Sequence, residues 1–265
     1  MRKYVLVLLA AALAIATGPT LADGEFPGRG LYPTVDFVER EDLHARFDAY
    51  TIVDVRSAYE YQTLHIKGAV NIPLASDSFV DEIRALSAET GKPLAFYCNG
   101  RSCRVSYQAS ERAARHGIAG TTAYDAGIFE WAQAYPDKSV LLGRSPINVA
   151  DLIDDKAFKA RMLDAATFAE RVGSDSIVVD VRDEHQRDAI ALFPFREQRV
   201  ALGDSERLRE IVRQARAEGK TLLIYDAVGR QVRWLQYSLE ALGARDYYFM
   251  DGGEQAYYAM LSNSN

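Results

Sequence analysis

The chain has two cysteines in 265 residues, and they stand five positions apart at Cys98 and Cys103. Between and after them run Asn99, Gly100, Arg101, Ser102 and Arg104. A thiol becomes a nucleophile when its thiolate is stabilised. Neighbouring arginines and a helix N-terminus do this, lowering a cysteine pKa from about 8.5 into roughly the 3.5–7.5 range. A bridge across so short a loop adds little stability, so reactivity is a better first assignment than stapling. Cys98 is read as an activated nucleophile. Asn99 to Arg104 form a candidate cradle for an anion, and Cys103 is either a resolving thiol or one more lining residue. The bland alternative is a small apolar core residue. A glycine and two arginines within six residues argue against it.

The elements that must position this loop follow from the flanking pattern. Leu94–Tyr97 is a short apolar run that reads as a buried strand, and Val105–His116 has helical periodicity. Cys98 is thus expected at the carboxyl end of a strand, where α/β sheets bind ligands and where a following helix offers unpaired N–H groups. Further strands are expected at Thr51–Val55, Ile177–Val181 and Thr221–Tyr225. Helices are expected at Phe79–Ser87, Ser205–Ala217 and Val232–Leu242. Strands alternating with helices predict an α/β fold with central parallel sheets flanked by helices.

The chain also repeats itself. Val53-Asp54-Val55-Arg56 recurs as Val179-Asp180-Val181-Arg182, and Asp125-Ala126-Gly127 recurs as Asp251-Gly252-Gly253. Gly91–Cys98 recurs as Gly219–Asp226. Landmarks in the same order at nearly constant offset predict two copies of one domain, at 35–143 and 147–262, with the boundary near Gly143-Arg144-Ser145-Pro146. Residues 23–34 read as an extended N-terminal lead.

Composition bounds the function. The chain is 48% hydrophobic and 26% charged with a net charge of −6, which excludes disorder and leaves nothing basic enough for nucleic acid. Arg2 and Lys3 precede an apolar run from Tyr4 to Ala16, then small residues up to Ala22, so residues 1–22 read as a secretory signal peptide cleaved near Ala22. A periplasmic or secreted protein, soluble after cleavage and without a membrane partner, is expected.

Val53-Asp54-Val55-Arg56, with Tyr59-Glu60-Tyr61 and His65-Ile66-Lys67-Gly68-Ala69-Val70-Asn71-Ile72-Pro73, resembles the N-terminal signature of rhodanese domains. Phe96-Tyr97-Cys98 resembles their strand and nucleophile, and Asp125-Ala126-Gly127 with Trp131 their closing signature. The two-cysteine loop is similar to that of a subset of exported rhodanese-like proteins, although Arg104 stands where a Trp commonly follows the second cysteine. The resemblance implies two rhodanese-like domains and a sulfurtransferase, in which Cys98 carries sulfane sulfur as a persulfide. A small anionic donor such as thiosulfate supplies it, and an unidentified periplasmic acceptor receives it. No Gly-rich phosphate loop or dinucleotide fingerprint appears in the sequence, so no cofactor is expected, and no metal site is expected.

Three other readings stay open. One is thiol–disulfide redox chemistry through Cys98 and Cys103. Another is a cysteine-dependent phosphatase or arsenate reductase, because Cys98 and Arg104 have Cys-x5-Arg spacing. The third is a non-catalytic periplasmic binding module. In the second copy Asp226 replaces the nucleophile, so that copy is expected to be inactive in sulfur transfer and to serve packing, with Asp226 paired to Arg230 or Arg233. Its counterpart to the His65 segment reads near Ile190–Phe195. Arg56 and Arg182 suit buried ion pairs. His65 reads as structural, and His44, His116 and His185 have no partners at metal-ligand spacing.

Overall fold

The computed structural model describes residues 26–182 and 191–263. The signal segment, His185 and Ile190 lie outside these residues. In chain order, α1 (Pro27–Leu31) and α2 (Arg40–Ala45) precede β1 (Thr51–Asp54), α3 (Ala58–Thr63), β2 (Leu64–Ile66) and β3 (Val70–Asn71). Then come α4 (Phe79–Thr90), β4 (Leu94–Tyr97), α5 (Val105–Arg115), β5 (Thr121–Tyr124), α6 (Gly127–Ala134) and β6 (Ser139–Leu141). The remainder is α7 (Asp155–Lys159), β7 (Met162–Leu163), α8 (Ala165–Glu170), β8 (Ser176–Asp180), β9 (Glu197–Arg199), α9 (Ser205–Glu218), β10 (Thr221–Tyr225), α10 (Val232–Ala241), β11 (Tyr247–Met250) and α11 (Gly253–Asn263).

Two parallel sheets result. One has the order β3-β1-β4-β5 and the other β9-β8-β10-β11-β7. The central strands are buried on both faces, which is why Leu94–Tyr97 and Leu222–Tyr225 read as unbroken apolar runs. The sheets match in detail. Val53 lies opposite Phe96 in the first, and Val179 lies opposite Ile224 in the second. Helices α4 and α9 run to Thr90 and Glu218, a little beyond their expected ends. Gly91 and Gly219 terminate them in the left-handed region at φ 61° and 64°.

Directly after β1 and β8, the two arginines fold back onto the aspartates that end the strands. Arg56 Nε reaches Asp54 Oδ1 at 2.9 Å, and Arg182 Nε reaches Asp180 Oδ1 at the same distance. Burial by itself lowers an arginine pKa, but the adjoining carboxylates outweigh it and hold both guanidinium groups raised. The expectation of buried ion pairs holds at both positions.

The N-terminal segment differs from the extended lead expected for it. Residues 27–31 form α1, with Pro27 at its first turn. Arg29 ties it down by bonding Asp125 at 2.8 and 3.2 Å and Glu39 at 2.9 Å. A Cβ at Gly28 would lie 2.2 Å from the Tyr107 ring, so this close approach requires glycine. A five-residue helix is too short to show a hydrophobic period, and its stability comes from tertiary contacts.

The second sheet packs on the first through α10. Trp234 stacks on Phe129 with ring centroids 5.3 Å apart and lies 5.0 Å from the Arg56 guanidinium. Tyr237 Oη accepts the Ile153 N–H at 3.1 Å. Among the described residues, no helix is long and apolar enough to cross a membrane.

Candidate functional site

Cys98 follows β4, an inner strand flanked by β1 and β5, so its loop emerges in the crevice beyond the carboxyl edge of the first sheet. Its side chain is buried, with the residue 1% exposed, and Ser106 Oγ in the first turn of α5 lies 3.8 Å from its sulfur. N–H groups of that turn have no intrahelical acceptor, and the helix dipole makes it favourable to negative charge. In the structure Cys98 is disulfide-bonded to Cys103, with Cα atoms 6.5 Å apart. That separation is within disulfide reach.

The loop is braced from three sides. Arg56 donates to Asn99 Oδ1 at 3.2 Å, and Asn99 Nδ2 donates to Glu60 Oε1 at 3.1 Å. Glu60 is the third residue of α3, and its other oxygen accepts from Ser57 in a capping box. The buried Asp54–Arg56 pair and the cap of α3 thus jointly set the first loop residue. From beneath, Gly127 at φ 72° opens α6, and a Cβ there would lie 2.3 Å from Gly100 N. Ile128 N–H donates to Cys98 O at 3.0 Å, fastening α6 to the loop. The Asp-Ala-Gly signature is therefore a floor on which the loop rests.

The two arginines of the loop sit in different settings. Arg101 pairs with Glu130 and sits over the Phe26 ring at 4.6 Å. The Glu130 carboxylate, followed by opposing burial, leaves the Arg101 pKa raised. Arg104 is exposed, and its residue precedes α5 without a side-chain cap. Within the loop, Cys103 N–H donates to Gly100 O at 2.8 Å in a tight turn. Asn99, Gly100, Arg101, Ser102 and Cys103 line a cleft of about 770 Å³. Its other walls include Phe129 and Glu130 of α6, residues 149–150 and 152–155, and Arg233 of α10. The sequence carries no signal for Phe129 and places Arg233 beside Asp226 instead; both enter the cleft because the second sheet docks on the first.

The matching loop of the second sheet corrects one expectation. Asp226 does not pair with Arg230 or Arg233. Its carboxylate accepts backbone N–H bonds from Val228 at 3.1 Å, Gln231 at 2.5 Å and Val232 at 3.2 Å, and another from Gly229. Arg233 pairs with Asp155 at 2.7 Å instead. A short carboxylate inside its own loop meets four nearby donors before it can reach an arginine side chain. Gly253 repeats the floor, since a Cβ there would lie 2.4 Å from Asp226 O.

His65 Nδ1–H donates to Tyr61 O at 2.6 Å and its ring stacks on the Tyr61 ring, a structural setting. Desolvation lowers its pKa, with the Tyr61 carbonyl opposing.

Comparison with known proteins matches residues 39–134 to the rhodanese-like domain family. An HTH-type transcriptional regulator of Mycobacterium tuberculosis is 36% identical over 101 residues, covering 37% of this chain and 42% of the regulator. A thiosulfate:glutathione sulfurtransferase of Saccharomyces cerevisiae is 29% identical over 96 residues, covering 33% of this chain and 68% of the yeast protein. The chain thus spans less than half of the first relative and about two thirds of the second. Among solved structures, a thiosulfate sulfurtransferase from Pseudomonas aeruginosa aligns with 85% of this chain and 42% of its own length, at 18% identity and a TM-score of 0.39. A Bacillus halodurans protein aligns with 50% of this chain and 94% of its own length, at 21% identity and a TM-score of 0.38. The segment that builds the first sheet and holds the Cys98 loop is the one that matches the rhodanese-like domain family.

Proposed function

We propose that this chain is an exported sulfurtransferase that moves sulfane sulfur through a persulfide on Cys98, after thiols have reduced its bond to Cys103. The observation that carries the reading is the position of Cys98 at the end of an inner parallel strand, with its sulfur beside the first turn of α5 and its loop braced by Asn99, Arg56 and Gly127. The family match over 39–134 and the sulfurtransferase relative support the same chemistry. In the reaction the Cys98 thiolate attacks the outer sulfur of thiosulfate, a new S–S bond forms, and sulfite leaves with the electron pair of the broken bond. An acceptor nucleophile then takes the outer sulfur and returns the thiolate. The growing negative charge falls beside Ser106 and the N–H groups of α5.

The second sheet, with Asp226 at the corresponding position, acts in this reading as a degenerate tandem copy. A carboxylate carries no persulfide, and that copy contributes packing and the Arg233 wall of the cleft. Export is part of the proposal, and N-terminal sequencing of the secreted or periplasmic protein tests cleavage after Ala22.

The direct experiment incubates the reduced protein with thiosulfate and cyanide, and follows thiocyanate together with intact mass. One sulfur gained on Cys98, and loss of turnover in Cys98→Ser, is the expected result. No Cys98-dependent sulfur gain with any sulfane donor tried would end the proposal. A thiol–disulfide redox role is favoured by one observation, the Cys98–Cys103 bond itself. Cys103→Ser separates the two: sulfur transfer survives it, and a redox cycle stops.

A further inference from the structure

The two sulfurs of the disulfide are not equivalent. Cys98 is buried and lies beside Ser106 of α5, whereas Cys103 is partly exposed and lines the 770 Å³ cleft. Thiolate attack on a disulfide is governed by which sulfur can be approached and by how well the other departs as a thiolate. Both factors select the same direction here. Access comes from the cleft side, through Cys103. The departing charge is best stabilised on Cys98, at the helix turn with unpaired N–H groups and the Ser106 hydroxyl.

The cleft also indicates what attacks. Its size is in the range of sites for organic ligands, roughly 300–1,000 Å³, and far exceeds a single inorganic anion. Phe129, Leu152 and Ile153 supply apolar wall. Arg233 is bonded to Asp155 through one terminal nitrogen, while its buried Nε has no hydrogen-bond partner among the described residues. The Arg233 side chain remains 25% exposed, so an acceptor on a ligand meets its positive charge there rather than at the buried Nε.

We infer that Cys103 is the entry sulfur of the oxidised site, attacked by a carboxylate-bearing organic thiol seated in the cleft against Arg233. The inference rests on the same site as the sulfurtransferase reading and adds how that site is opened and by what class of molecule. The incoming thiolate forms an S–S bond to Cys103 Sγ, and the electron pair of the broken bond leaves on Cys98 Sγ. A second thiol displaces the first from Cys103 as an organic disulfide, so two thiols are oxidised while the protein disulfide becomes two thiols. The order is the reverse of the catalytic one, in which Cys98 acts first.

The oxidised full-length protein is mixed with limiting glutathione without air, quenched in acid, alkylated and mapped by tandem mass spectrometry. The expected product carries glutathione on Cys103 and the alkyl group on Cys98. A glutathione adduct on Cys98, or a disulfide that no thiol opens, overturns the inference. Arg233→Ala is expected to slow opening by glutathione about fivefold, the worth of one partly exposed charged contact. Opening by 2-mercaptoethanol, which has no carboxylate, serves as the folding control and should be unchanged. Equal rates for glutathione in both proteins remove Arg233 and the carboxylate from the proposal. No sulfane donor is present, so failure of sulfur transfer and failure of this entry route are read separately.

Discussion

The loops after β4 and β10 begin from the same position in their sheets and end in different ways. After β10, the Asp226 carboxylate accepts four backbone N–H bonds of its own loop. After β4, the sulfur of Cys98 is joined to Cys103. Both loops are closed from within, but by bonds of different kinds. A carboxylate held by main-chain donors has no leaving route, so the second loop has no vacant anion site. A disulfide is removed by any thiol that reaches it, so the first loop is closed reversibly. The comparison teaches that a strand-end loop loses its anion-binding capacity when one of its own side chains supplies the anion.

The floor glycines provide the sharpest test of this comparison. Gly127→Ala and Gly253→Ala each force a Cβ into loop backbone at 2.3–2.4 Å from a residue in a left-handed conformation. Each should cost about 2–3 kcal/mol in denaturant unfolding. Only Gly127→Ala should also lower thiocyanate formation per folded molecule, because only that loop holds a reactive sulfur. Equal activity losses from both variants would mean the second loop takes part in turnover.

A smaller effect is expected from emptying the second loop. Asp226→Ala leaves several loop donors without their acceptor and should destabilise by about 1–3 kcal/mol, with turnover per folded molecule kept. Asp226→Asn retains one oxygen acceptor and should recover part of the loss. Full stability in Asp226→Ala would show that water satisfies the loop and that the carboxylate does not seal it.

The smallest effect concerns pH and lies away from both loops. Burial holds the folded His65 below its unfolded value of 6.5, so the unfolded chain takes up a proton first as pH falls. Its contribution is fully present above pH 6.5 and is lost progressively below it, down through the folded pKa. Melting temperature of the wild type should therefore fall more steeply below pH 6.5 than that of His65→Gln. Parallel profiles would remove His65 from the acid response.

Much of the scaffold was legible from the residues. Leu94–Tyr97 and Thr221–Tyr225 are strands with the expected bounds because a strand buried on both faces must be continuously apolar. Buried ion pairs at Arg56 and Arg182 were legible from their places after the strands, and the structure supplies Asp54 and Asp180, two residues back, as the partners. The helix at Pro27–Leu31 was not, since Arg29 finds Asp125 ninety-six positions away. The nearness of Arg101 to Cys98 was legible, but its partner Glu130 comes from α6. Arg233 was assigned to Asp226 by proximity in the chain, whereas docking of α10 turns it to Asp155 and the cleft.

The sequence by itself determined the α/β pattern, the repeated landmarks and the concentration of both thiols in one strand-end loop. These depend on local periodicity and on residue chemistry, which are carried by neighbours in the chain. Only the tertiary structure decided which sulfur is buried, which faces the cleft, and which side chains form the opposite wall. Those outcomes depend on how α5, α6 and α10 meet around the loop, and distances between elements are set by packing of the whole core rather than by any segment of it.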